Sequence, residues 1–167
     1  MFTSIESFLG QWESNQKATR RILDTLTDES LSREIMPGHR NLGRIAWHMV
    51  ISISEMAGRT GLKLEGPGEN SPMPEKAGDI SAGYEAAAAS LGGQISKEWT
   101  DESLQVEDDM YGERWKRGLT LMILLLHEVH HRGQMTVLMR QAGLKIPGVM
   151  GPSAEEWAGS GMEPPQI

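Results

Sequence analysis

Apolar residues recur at three- and four-residue steps in four stretches of the chain, the spacing of helices that each bury one face. In the first stretch the stripe is Ile5, Phe8, Leu9, Trp12, Thr19, Ile22, Leu23 and Leu26, with Asn15 and Gln16 in or beside it. The second runs over about 41–57, with Leu42, Ile45, Ala46, Met49, Ile53 and Met56 on one side. The third, about 80–99, carries Ile80, Tyr84, Ala87, Ala88, Leu91 and Ile95. The fourth, about 115–142, is apolar nearly all round in its early turns, which predicts a helix at the centre of a bundle.

Breakers separate these stretches. Met36-Pro37-Gly38 divides the first two, and Gly143 follows the last as a predicted C-cap. Residues 58–78 hold Gly66-Pro67-Gly68, Pro72 and Pro74, so an extended crossover is expected there. A small hairpin is expected over 106–115, turning at Tyr111-Gly112. Four helices with one long middle connection make an all-α four-helix bundle, crossing over between the second and third helices. The 167 residues fit one domain, 1–167, with a Gly/Pro-rich tail from about 147. Thr27-Asp28-Glu29-Ser30-Leu31 after the first helix is echoed by Thr100-Asp101-Glu102-Ser103-Leu104 after the third. Such residues are ordinary after helices, but the echo also suits two helix–loop–helix halves stacked about an approximate two-fold axis.

Composition narrows the chemistry. The chain has no cysteine, which excludes disulfides, Cys-type zinc sites and a thiol nucleophile of its own. A net charge of −7, from 16 Lys+Arg against 23 Asp+Glu, argues against nucleic acid as a partner, which calls for a basic face. Met1-Phe2-Thr3-Ser4-Ile5-Glu6 lacks the basic start and apolar core of a secretory signal. The most apolar run, 119–126, falls far short of the roughly 20 residues needed to span a bilayer. No membrane partner and a cytoplasmic location are the expectations.

Three of the five histidines lie in His127-Glu128-Val129-His130-His131. Residues four apart on a helix are about 40° apart around the axis and about 6 Å along it. His127 and His131 have that spacing, so both imidazoles can point at one ion. Leu124, Met135 and Leu138 extend the same stripe toward the core. Isolated histidines are most often held by hydrogen bonds, but two rings on a buried helix carry donors and acceptors that all need partners, and one metal ion satisfies both. A third ligand must come from another helix. His48, at the edge of the apolar face of the second helix, is the choice; His39 sits beside Pro37-Gly38 in a loop or helix start, and His130 points about 100° away from His131.

The same block fits H-E-x-x-H, the zinc-protease signature. Its extended form fails, because Gln134 stands in place of the glycine and Val137 in place of the last histidine. Only Glu155 or Glu156 remain as downstream ligands, in a Gly/Pro-rich tail, so the protease reading is set aside.

The sequence resembles the DinB/YfiT-like superfamily of metal-binding four-helix bundles. The resemblance rests on Ile45-Ala46-Trp47-His48, on His127-Glu128-Val129-His130-His131-Arg132-Gly133-Gln134, on Leu138-Met139-Arg140-Gln141-Ala142-Gly143, and on the ending Gly151-Pro152-Ser153-Ala154-Glu155-Glu156-Trp157. It spans essentially the whole chain. The family's three-histidine site maps onto His48, His127 and His131. The resemblance implies an up-down-down-up bundle, a homodimer, and one divalent ion such as nickel, zinc or iron. It also implies kinship with bacillithiol and mycothiol S-transferases and maleylpyruvate isomerase.

Three histidine ligands leave at least one open coordination position, as in catalytic sites. An ion so held can lower the pKa of a bound water or hold a substrate thiol as thiolate, a nucleophile this chain cannot itself provide. The expected activity is a metal-dependent transferase joining a low-molecular-weight thiol to an electrophile, with a small-molecule substrate. The alternatives are a metal-dependent hydrolase and a non-enzymatic, metal-stabilised sensor or interaction module. Glu128 follows a ligand by one position and points about 100° off the metal. Its expected role is an exposed partner for Arg132 at i+4, with support of a metal ligand or general-base work as the alternative. Asn15 and Gln16 are placed either to line the pocket or to bond across helices.

Overall fold

The structure is a computed structural model that describes residues 1–159, 161, 163 and 166. Pro164 and Pro165 of the predicted Gly/Pro-rich tail lie outside the described residues. Four helices carry the fold: α1 (Ile5–Leu23), α2 (Leu42–Gly58), α3 (Ala77–Glu98) and α4 (Arg117–Gln141). A two-stranded hairpin, β1 (Glu107–Met110) and β2 (Glu113–Lys116), runs directly into α4. Its turn, Tyr111 and Gly112, holds both residues at positive φ (61° and 87°), the conformation of the type I′ turns that match strand twist.

Local chemistry sets the helix starts. Ser4 Oγ accepts from Ser7 N–H at 3.3 Å at the head of α1, and Asn41 Oδ1 accepts from Arg44 N–H at 2.8 Å at the head of α2. The paired loop sequences add caps from a distance. Asp28, after α1, accepts from the Ala77 N–H that opens α3, and Asp101, after α3, accepts from the Ile5 N–H that opens α1, each at 2.8 Å. Each half therefore satisfies an orphan donor of the other, and the echoed sequences occupy equivalent places in the two halves. Leu31 and Leu104 are both buried.

Contacts between helices give their directions. Trp12 Nε1 donates to Ala88 O at 3.1 Å, Arg20 reaches Glu85, and Ser81 Oγ donates to Asp24 Oδ1 at 2.5 Å, so α1 and α3 are antiparallel. Phe2 N–H donates to Gly118 O at 3.0 Å while Asn15 bonds Glu128 further along, so α1 and α4 run together. His48 lies beside His127, and Met56 shares a cleft with Ile123, so α2 and α4 are antiparallel. The result is the up-down-down-up bundle, with the crossover from α2 to α3 lying on the outside. The N-terminus packs so tightly that a Cβ added at Gly118 would fall 2.1 Å from Phe2 O. The core joins all four helices through Phe8, Trp12, Met49, Ile53, Leu91 and Met135, each 1% exposed or less. Among the described residues no helix is long and apolar enough to cross a membrane.

Candidate metal centre

His48 comes from α2, and His127 and His131 from successive turns of α4. Their Nε2 atoms converge: His127 lies 3.2 Å from His48 and 3.1 Å from His131, and one ligand nitrogen from each of the three lies within 4.8 Å of the others. Nitrogens about 2.0–2.1 Å from one ion stand about 3.3–3.4 Å apart in a tetrahedral site and about 2.9 Å apart at right angles. The spacings fall between these values, so the three imidazoles could hold one divalent ion. Without an ion, a proton on His127 Nε2 could serve only one of its two neighbours at a time.

Gln134 fixes one of the rings. Its Oε1 can only accept, so His131 Nδ1, 2.7 Å away, carries the proton and leaves Nε2 free toward the centre. The amide nitrogen of Gln134 donates to His130 Nε2 at 3.1 Å, which holds His130 on the outer side. His39 and His130 are exposed and do not join the cluster. In sequence Gln134 stood out only as a mismatch to a protease pattern and as the end of the block that carries the family resemblance, with no role of its own. Its signal was the i,i+3 spacing from His131, which places it over the same turn.

Burial is the main cause pulling all three histidines below their ordinary pKa of 6.5, to about 4 for His48 and His127. Arg40 and the neighbouring imidazoles push the same way. Each ring is therefore neutral at pH 7 and free to bind metal. Unperturbed histidines would lose apparent metal affinity as pH falls below about 6; the depressed values move that onset toward about 4. The sign for folding follows: a depressed pKa contributes stability that is present above about 6.5 and is lost as pH falls through the folded-state value. Zinc affinity measured from pH 8 downward should persist below the pH 6.5 of an ordinary imidazole and be lost as His48 and His127 protonate near 4. A midpoint near 6.5 would mean that these imidazoles are ordinary solvated ones.

Three surface hollows reach the centre. A cleft of about 630 Å³ is walled by His48 and His127 together with Glu55, Arg59 and Tyr111. Here Tyr111, carried by the hairpin turn, donates to Glu55 Oε2 at 2.6 Å, and Arg59 stacks 4.5 Å over its ring. A second cleft, about 520 Å³, is lined by His131, Gln134, Arg40 and Val137. A third hollow, about 300 Å³, reaches His48 past Arg40, Arg44 and Trp47. Tyr111 and Arg40 were not legible as site residues in sequence, since only the packing of hairpin and loop against α2 brings them there; Arg44 and Glu55 lie on α2 itself, four residues before and seven after His48.

Glu128 corrects an expectation. It pairs with Arg132, at 3.9 Å, but neither is exposed: Glu128 is 0% and Arg132 3% accessible. Its carboxylate lines none of the three hollows and faces α1 and α3 instead. Oε2 accepts from Asn15 at 2.6 Å and from Thr19 and Tyr84 at 2.9 Å each. Arg132 donates to Asn15 Oδ1 and Thr19 Oγ1, both at 2.6 Å. Burial raises the Glu128 pKa to about 7, against the pull of these donors and of Arg132. Asn15 thus bonds across helices, as does Gln16, whose amide donates to Ala88 O at 3.0 Å. In the tail, Glu155 pairs with Arg140 and Glu156 with Arg21, and neither belongs to the histidine cluster.

An up-down-down-up bundle with three histidines converging between α2 and α4 defines a class of helical proteins able to hold a metal ion. The chain belongs to the DinB family, whose profile matches residues 1–166. It is 44% identical to the YrdA protein of Bacillus subtilis (strain 168) over the full length of both chains. A crystal structure of a DinB-like protein from Bacillus cereus ATCC 10987 superposes with a TM-score of 0.86 at 47% identity, covering 89% of this chain and 99% of that one. A second DinB-like protein, YjoA of Bacillus subtilis, shares the fold at a TM-score of 0.67 and 17% identity, over 86% of this chain and 97% of that one.

Proposed function

We propose that this protein is a metal-dependent transferase that joins a low-molecular-weight thiol to an electrophile, with His48, His127 and His131 as the ligands of one divalent ion. The observation that carries the reading is the convergence of three neutral imidazoles at 3.1–3.2 Å where open clefts meet, in a chain without cysteine. A divalent ion held there would supply the charge that favours a thiolate over a thiol at neutral pH. The chain's own residues do the rest. Gln134 keeps the His131 ring in the tautomer that presents Nε2, and α2 and α4 hold the ligands on rigid backbone. The clefts reach the histidines from more than one side, which leaves room for two substrates. A homodimer fits the same reading, since Leu126 and Val129 leave exposed apolar surface on α4, and so does a cytoplasmic location.

The test is conjugation of bacillithiol, mycothiol or glutathione to a model electrophile by metal-loaded protein. Activity should depend on the metal and vanish in His127→Ala while circular dichroism shows the helices intact. If no thiol alters the visible spectrum of a cobalt-substituted sample, the transferase reading fails. Hydrolysis by metal-activated water then moves ahead of it.

A further inference from the structure

The two hollows that share Arg40 have an unusual charge balance for this chain. Each contains one histidine of the cluster, His131 in one and His48 in the other, and Asp and Glu line neither. The chain as a whole carries −7. Most of its other arginines are neutralised: Arg20, Arg21, Arg59, Arg117 and Arg140 each reach a carboxylate. Arg40 and Arg44 are exposed, and neither guanidinium has a hydrogen-bond or ion-pair partner among the described residues.

Two unpaired cations beside a cluster built for a dication repel that ion, and no carboxylate in these hollows offsets them. An anion bridging ion and guanidinium would. Arg presents N–H groups in a planar fork that matches carboxylate and phosphate, so such a contact adds direction as well as charge.

We infer that Arg40 and Arg44 form an anion-recognition site beside the histidine centre, and that the small molecule handled there carries a carboxylate or phosphate near its reacting atom. The inference rests on the proposed function for the ion, and it narrows the substrate to one bearing an oxyanion. Anion and ion should then bind cooperatively, each raising the affinity of the other by the same factor.

The experiment uses the cobalt-substituted full chain and three small thiols that differ in charge: mercaptopropionate, mercaptoethanol and cysteamine. Mercaptopropionate should alter the cobalt spectrum at a concentration roughly tenfold lower than mercaptoethanol, with cysteamine weakest. Cysteamine has the most acidic thiol of the three and would lead if thiol acidity alone governed. Arg40→Gln with Arg44→Gln should erase the preference, and the paired lysine variants should keep part of it. An unchanged preference in the double glutamine variant, or equal affinities in the parent, overturns the inference. If no thiol acts on the spectrum, the transferase reading falls, and calorimetry with acetate and inorganic phosphate decides the anion site separately. Anion binding lost in the double glutamine variant supports it and shows which oxyanion is favoured; no anion binding to the parent overturns it.

Discussion

Replacing His127 by alanine should empty the metal centre while the bundle stays folded. His127 Nε2 is the atom nearest both other ligands, at 3.2 and 3.1 Å, so its loss leaves two nitrogens on different helices with nothing between them. His48→Ala and His131→Ala should do the same, each leaving too few ligands for a tight site. Gln134→Ala should be milder, since it frees only the tautomer and orientation of His131; outer partners of this kind control about 10–100-fold in affinity. The direct ligands should exceed that range. His39→Ala and His130→Ala should keep full occupancy. Elemental analysis after gel filtration, with competition by a zinc chelator for the affinities, gives the ranking. Full occupancy in His48→Ala and His131→Ala together would remove the site assignment, whatever the activity.

Glu128→Ala is expected to lose about 3–5 kcal/mol of stability, because it leaves Arg132 as a buried charge without its carboxylate. That is a large share of the roughly 5–15 kcal/mol that holds a domain folded. It also strands three donors, from Asn15, Thr19 and Tyr84, that meet on one oxygen. Glu128→Gln keeps a carbonyl for those donors but puts an amide N–H₂ where Oε1 has no partner, so a cost of about 1–3 kcal/mol is expected. Urea denaturation of the two variants measures both losses. Metal occupancy should be unchanged in Glu128→Gln, and turnover should follow the folded fraction. A Glu128→Gln protein of parental stability but without activity would assign the carboxylate to the chemistry after all.

That pair shows where sequence reading ends. Spacing in α4 made Glu128 and Arg132 neighbours, and the pair was legible as an i,i+4 contact. Whether it faced water or the core depended on α1 and α3 bringing Asn15, Thr19 and Tyr84 against it. Helical spacing carried a hint, since Glu128 stands four residues after Leu124 and seven before Met135 on the buried stripe of α4, but spacing alone does not supply partners for a buried carboxylate. The reciprocal caps tell the same story: the repeated Thr-Asp-Glu-Ser-Leu is visible in sequence, but only the assembled halves put Asp28 on α3 and Asp101 on α1.

What the sequence by itself determined is what a helix's own period and composition control. Four apolar stripes and their breakers yield the bundle and its crossover, and four-residue spacing puts His127 and His131 over one another. The lack of cysteine removes thiol chemistry from the chain. The tertiary structure decided what depends on contacts between distant segments. It set His48 opposite His127 across the α2–α4 seam and placed Gln134 behind His131. It carried Tyr111 to Glu55 on the hairpin and left Arg40 and Arg44 unpaired at the mouth of the site. Helical spacing fixes angles within one element, whereas the distance between two elements is set by how their side chains pack, and one-dimensional patterns do not encode it.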